Sequence, residues 1–449
     1  MSQKRDSALF ALASIKIIKP YLSTLSSGYV LMFVTMLAQL VTIPLYLGSY
    51  EKWGFGVISM MLAVVPLMAL GITWVSGGGM RLMGEAVAKN DIVGARRIYS
   101  ASKYLFTLYG VVVAFILAAI GISFQDYWID DAPNYYTRED LHYLIISFCV
   151  YIVVQYEFSS ELAAFAATKK QHEGNIIQII NPIVMAAAVY VMILFGVGIQ
   201  SVFISMTLGY LVMRVCTHYY WRRVSTYGNY VVLLSPDREQ IEATADMLKD
   251  YAVSYSIYGV LLLFLFSDVI IVGYLMGAEA AATLALIWKI PNLLMQTLWR
   301  VPIYAEPYVI HMDAKGEMEK LRSLFKKGFF AYSLMCFIAA SVFYIIGEDV
   351  LQLWVGNIPD LKGDFKFLMC AGAIFFLSLS RWPISFLYAM VKLRMLIKVM
   401  AVELLVKVFF VIFFYNYHGF ISPIVAINVE YILGLALAYY FIIKRERLA

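Results

Sequence analysis

Runs of about twenty consecutive apolar residues, each long enough for a helix to cross a bilayer, constrain this 449-residue chain more than any other feature. Twelve such runs are predicted, near 27–47, 55–75, 104–124, 141–164, 176–197, 200–220, 253–276, 281–305, 329–347, 366–388, 399–416 and 421–443. Each is continuously apolar rather than alternating, so each reads as a helix and not as a strand of a lipid-facing barrel. Only 14% of the residues are charged while 62% are hydrophobic, against about 25% charged in a soluble domain. The fold class is all-α, a polytopic membrane protein.

The basic residues orient it. The N-terminal segment, the connections after every second span and the C-terminal segment hold most of the 35 Lys and Arg residues. The opposite loops hold Lys52, Arg138, Lys362 and Lys366, and five more cations lie inside spans. The basic side is the cytoplasmic one, which places both termini on the cytoplasmic side of the membrane. The opening MSQKRD segment is expected to be a cytoplasmic tail, with the first span acting as an uncleaved anchor. The net charge of +5 follows from this loop bias and calls for no nucleic-acid partner.

An internal repeat divides the chain. Ala88–Phe106 lies over His311–Phe330, with Asp91 matching Asp313 and Gly94 matching Gly316; after a one-residue slip, Arg97 matches Lys320 and Ile98 matches Leu321. Each copy follows two spans and leads toward an outer loop, Gln125–Asp140 with Trp128 or Gly347–Phe365 with Trp354. Equal topology in both copies predicts a parallel duplication. It gives an N-terminal six-helix lobe over 1–220, a cytoplasmic linker over 221–252, and a C-terminal six-helix lobe over 253–449. Ser235 or Asp237 can cap a short linker helix with an apolar side at Ile241, Ala245 and Leu248.

Several short motifs recur in a familiar order: Leu47-Gly48 and Trp53-Gly54 around the first turn, the basic segment Lys89–Arg97, Asp268 before Val-Ile-Ile, and Trp354-Val355-Gly356. In these the chain resembles the Wzx-like polysaccharide flippases, a branch of the multidrug/oligosaccharidyl-lipid/polysaccharide (MOP) exporters. The resemblance implies a MATE/MOP-like fold of two six-helix lobes. It also implies a cargo, a polyprenyl-diphosphate-linked oligosaccharide carried to the periplasmic leaflet, with membrane lipids and polysaccharide polymerase or export machinery as partners. The alternatives are a proton- or sodium-coupled multidrug antiporter of the same superfamily and a membrane-embedded enzyme of polysaccharide synthesis. The first span has Gln39 but no acid, whereas antiporters of the sister branch generally use one there. The outer loops are short for an enzyme.

Charges inside the spans are the candidate site residues, because an ionisable group in hydrocarbon faces a bundle interior or a wet cavity by default. Lys289, Arg300, Arg381 and Lys407 fall in the second half and suit a diphosphate. Asp268, Glu157 and Glu161 are the candidates for ion coupling; the last two share one helix face, as residues four apart do. Competing structural readings stand beside these. Asp268 and Lys289 can pair across neighbouring helices, Glu403 and Lys407 can pair along one, Arg300 and Arg381 can snorkel, and Lys169 and Lys170 can neutralise Glu157 and Glu161.

Other residues carry less. Cys149, Cys216, Cys336 and Cys370 lie in apolar spans and read as small buried hydrophobes. The histidines show no catalytic or metal-ligand spacing. The Ser76–Gly79 run lacks the Lys-Ser/Thr of a phosphate loop and is expected to form a flexible elbow. No cofactor, metal or catalytic residue is expected.

Overall fold

The computed structural model describes residues 2–69, 72–130, 132–233, 267–303, 317–356, 358–390 and 392–440, with a few single positions between these. The inter-lobe linker helix, most of the seventh span and the Asp313–Gly316 copy of the repeat lie outside the described residues. Among those described there is no strand, and twelve α-helices follow one another. We number them α1 (Ser2–Ala69), α2 (Thr73–Ala88), α3 (Ile92–Asp130), α4 (Arg138–Ala167), α5 (Gln171–Leu194), α6 (Ser201–Tyr219), α7 (Asp268–Met276), α8 (Ala278–Leu298), α9 (Met318–Val355), α10 (Asp364–Ala389), α11 (Leu393–His418) and α12 (Ser422–Tyr440). Seven described helical stretches are long and apolar enough to cross a membrane, so the chain is a multi-pass membrane protein.

The helices follow the predicted spans in some places and depart from them in others. The first two predicted spans agree with the structure: α1 consists of two helices that meet at a kink at Glu51, whose φ of 56° and ψ of −176° leave the helical region. A positive φ on a residue with a Cβ is uncommon; it turns the chain where a loop is predicted. The Ser76–Gly79 run is not an elbow: it lies within α2 and is helical throughout. The turn falls later, at Asn90, whose φ is +57°. Asp91 then caps α3, its Oδ1 accepting from Gly94 N at 2.8 Å. At the other end α3 continues to Asp130, and α9 to Val355, so both outer loops are shorter than predicted. The next start, α4, is signalled by a capping box in which Thr137 and Asp140 each bond the other's backbone N–H.

The residues fall into two compact units. One comprises 1–50 and 72–255, the other 51–71 and 256–449; the second half of α1 therefore packs with the C-terminal helices.

In the N-terminal unit α4 is central, packing on α2, α3 and α6. Helices in lipid gain nothing from expelling apolar surface from water, so close packing and polar contacts must hold them. Gly110 of α3 allows such an approach: a Cβ there would stand 3.1 Å from Tyr156 Cβ and 3.3 Å from Val153 Cα on α4. Phe148 and Tyr151 of α4 pack on Phe203 of α6 at 4.7 and 5.9 Å between centroids, the first pair tilted and the second stacked. The C-terminal unit centres on α10, which packs on α8, α9 and α12. Its Trp382 donates from Nε1 to Phe325 O at 3.2 Å and lies 5.4 Å from Phe386.

Helix α11 is arranged inside out relative to a soluble helix. Leu405, Phe409, Ile412 and Phe413 are exposed, whereas Glu403 and Lys407 are 1% exposed. A helix with an apolar outer face and inward charges is built for hydrocarbon surroundings. Two expectations about cysteines need correction: Cys336 and Cys370 are buried, but Cys149 and Cys216 are only half-buried.

Candidate functional site

Each unit holds its own cluster of charges inside the helices. In the N-terminal unit Glu157 and Glu161 stand one turn apart on α4 and face α3. Lys103 Nζ lies between them, 3.4 Å from Glu157 Oε1 and 3.0 Å from Glu161 Oε1. Arg214 of α6 reaches Glu157 Oε2 at 2.6 Å. Tyr99, one turn before Lys103, donates its hydroxyl to Glu161 Oε1 at 2.5 Å. Two carboxylates thus meet two cations, and Val154, Phe158 and Tyr210 close the surroundings.

The lysines suggested as partners for these acids do not supply the balance. Lys170 pairs with Glu173 at 3.2 Å, and the cations that do serve are Lys103 and Arg214. The sequence reading counts Lys103 among loop cations because it stands at the edge of an apolar run. The signal that finds it is its spacing from Tyr99: two polar groups four apart on a helix, opposite a pair of glutamates with the same spacing.

In the C-terminal unit Asp268 opens α7 and meets Lys407 of α11, Nζ to Oδ1 at 2.8 Å. This corrects two expected pairs. Asp268 is not matched with Lys289. Glu403 does not neutralise Lys407 along the helix: it forms no ion pair among the described residues, and its Oε1 is buried without a hydrogen-bond partner. That oxygen packs against α12 at Gly434, where a Cβ would come within 1.8 Å of it and would displace the carboxylate end of Glu403.

The remaining candidates separate. Arg381 does not snorkel; its guanidinium carbon stacks 4.4 Å from the ring centroid of Trp299, a cation–π contact. Arg300 is part-exposed. Lys289 is half-buried on α8 and makes no ion pair or hydrogen bond among the described residues. Glu430 of α12, an acid the sequence reading does not place among the candidate site residues, is 0% exposed. Neither of its carboxylate oxygens has a hydrogen-bond partner among the described residues. Of the expected substrate-binding cations, then, Lys407 is committed to an acid and Arg381 to an aromatic ring.

Comparison with solved structures accounts for this architecture. The chain superposes on an inward-facing multidrug resistance MATE family transporter of the MOP superfamily with a TM-score of 0.74, over 95% of this chain and 98% of that one, at 13% identity. The fold is the MATE transporter fold. The eukaryotic MATE transporter AtDTX14 aligns with a TM-score of 0.68 and 12% identity, covering 97% and 98% of the two chains. A mutant of the Vibrio cholerae MATE transporter VcmN aligns at 0.62 and 12%, covering 95% and 99%. No family profile and no curated protein matches the chain.

Proposed function

We propose that this chain is a membrane transporter working by alternating access. The observation that carries the reading is the MATE fold along nearly the whole chain, in a protein whose intramembrane charges are gathered inside each unit rather than left on lipid-facing surfaces. Proposed with it are the bacterial inner membrane as location and cytoplasmic placement of both termini, supported by the loop bias of Lys and Arg.

Two cargo classes divide the remaining observations. The neighbours support the multidrug reading better than flipping of a lipid-linked oligosaccharide, since the first of them is described as a multidrug resistance transporter. The commitment of Lys407 and Arg381 to partners within the protein also removes half of the cations that favour an anionic cargo. The flippase reading is kept on one observation: Lys289, a cation without an ion pair among the described residues, lies on an apolar helix. A diphosphate head group is the kind of anion that fits it, and the order of short motifs points to the same cargo.

Deleting the gene separates the two. Drug sensitivity with normal surface polysaccharide supports the antiporter. Loss of surface polysaccharide, with lipid-linked repeat units held on the cytoplasmic leaflet, supports the flippase. A strain unchanged in both respects sinks the proposal for either cargo.

A further inference from the structure

Away from the intramembrane charges, three segments of the N-terminal unit meet around a cavity of about 270 Å³. Ser49 and Tyr50 come from α1 just before its kink, Tyr135, Tyr136 and Asp140 from the α3–α4 loop and the first turn of α4, and Gly196 to Ile199 from the α5–α6 turn. The bias of Lys and Arg puts all three segments on the outer side. The fold fixes the walls. Tyr136 donates its hydroxyl to Tyr50 O at 2.8 Å, and the Tyr50 hydroxyl is bonded to Ser201 Oγ. Helix α5 ends at Gly196, whose φ is +70°. Gly196 N and Val197 N donate back to Ile193 O and Met192 O, each at 3.0 Å, a Schellman ending that turns the chain along the cavity.

Three groups are left for a ligand. Tyr135 is 56% exposed. Ser49 is exposed, and its hydroxyl makes no hydrogen bond among the described residues. Asp140 commits only one oxygen to its own helix: Oδ2 accepts from Thr137 N at 2.9 Å and from Thr137 Oγ1 at 2.8 Å, whereas Oδ1 accepts nothing among the described residues. No Lys, Arg or His among the described residues lines the cavity, and Arg138, close by in sequence, is paired with Asp126 at 2.7 Å, so an anion does not fit. Nor do the rings form a cage for an organic cation: Tyr135 and Tyr136 lie 4.8 Å apart between centroids, in contact with each other rather than on two sides of a gap. The volume is below the roughly 300–1,000 Å³ of pockets that enclose drug-sized molecules. What remains is space for a single ring, beside one aromatic face, one carboxylate oxygen and one hydroxyl. We propose that this outer cavity binds one neutral sugar ring, its C–H face on Tyr135 and its hydroxyls bonded to Asp140 Oδ1 and Ser49 Oγ. The negative face of an aromatic ring receives polarised C–H groups, and a hydrogen bond to a carboxylate is stronger than one between neutral groups. The site stands apart from the choice of transported cargo, since none of its residues belongs to the charge clusters inside the helices.

The test uses the full-length protein in lipid nanodiscs, free of glycoside detergents whose head groups would compete. Saturation-transfer NMR is recorded with the methyl glycosides of glucose, galactose, mannose and N-acetylglucosamine, and with tetramethylammonium as the cation control. At least one glycoside is expected to receive saturation at its ring protons. That transfer is expected to be lost in Tyr135→Ala and largely kept in Tyr135→Phe, which retains the ring. Asp140→Asn preserves an oxygen for the Thr137 cap while presenting an amide NH2 to the ligand. It is expected to weaken binding of the same glycoside by about tenfold or more, as the loss of a hydrogen bond to a charged group does. If Asp140→Asn unfolds well below the wild type in a thermal scan, Ser49→Val replaces it, with a loss of about threefold, that of a neutral hydrogen bond. Transfer to none of the glycosides, transfer that survives Tyr135→Ala, or unchanged affinity in the Asp140 or Ser49 variant overturns the proposal. A Tyr135-dependent signal from tetramethylammonium stronger than from any glycoside overturns it equally. Binding is read without transport, so the outcome does not depend on which cargo the protein carries.

Discussion

Lys407 and Asp268 come together from helices nearly 140 residues apart in sequence, with 2.8 Å between ammonium and carboxylate and side-chain exposures of 2% and 13%. Breaking a buried pair from one side leaves an uncompensated charge and costs about 3–5 kcal/mol, whereas removing both charges costs far less. Asp268→Asn and Lys407→Gln are each expected to lower the thermal stability of the detergent-solubilised protein markedly. The double variant is expected to recover most of the loss. Additive losses in a double-mutant cycle would show that the contact has no energetic weight.

The N-terminal cluster predicts an asymmetry between its two cations. Lys103 is 11% exposed and bridges both glutamates, but Arg214 is 48% exposed and touches one. Lys103→Ala should destabilise by about 3 kcal/mol, as the loss of a buried partner does, and Glu161→Gln on that background should restore part of it. Arg214→Ala should cost about 0–1 kcal/mol, the range of solvent-screened pairs. Thermal unfolding of the four proteins measures this directly.

Lys289 provides the cargo test. If it holds an anion, Lys289→Ala severely reduces transport, and Lys289→Arg retains part of it because the charge survives. Because Asp268 is matched by Lys407, the double change Asp268→Asn with Lys289→Gln is not expected to rescue. Export of polysaccharide and efflux of ethidium, both at matched membrane abundance, are the readouts. Rescue by the double variant would mean that Lys289 also serves Asp268.

Outside the apolar spans, Lys52 donates to Asp360 at 2.5 Å. This hydrogen bond, followed by the charge of Lys52, holds the Asp360 carboxyl below its ordinary range. A carboxyl depressed in the folded state contributes stability above its unfolded pKa and loses it as pH falls through the folded value. The wild type is therefore expected to exceed Asp360→Asn in thermal stability at neutral pH. The difference should shrink on acidification below the normal carboxylate range, and it should fall with added salt because Asp360 is 57% exposed. A gap that widens in acid would rule this linkage out.

Orientation is tested by single cysteines replacing Asp360, Lys170 and Lys320 in a background lacking the four native ones. A membrane-impermeant maleimide added to intact cells whose outer membrane has been permeabilised should label the first site and spare the other two. Labelling at Lys170 or Lys320 would reverse the assignment of sides.

Class and periodicity were legible without coordinates. Long apolar runs admit only helices in hydrocarbon, so all-α architecture followed from composition and length, and the Thr137 and Asp91 caps could be read from residue type. Helix ends were less legible: α3 and α9 extend past their apolar runs, since a helix may continue into polar surroundings wherever its own backbone bonds persist. The choice of partner was not legible at all. Asp268 has cations available at Lys289 and Lys407, and hydropathy treats them alike. Which one it meets depends on how α7 and α11 pack, a contact between distant segments that leaves no trace in local spacing. Glu403 shows the same limit from the other side. Four residues from Lys407 it has ideal spacing for a pair, yet its carboxylate lies against Gly434 of α12, because tertiary packing sets the side chain's surroundings and sequence sets only its reach.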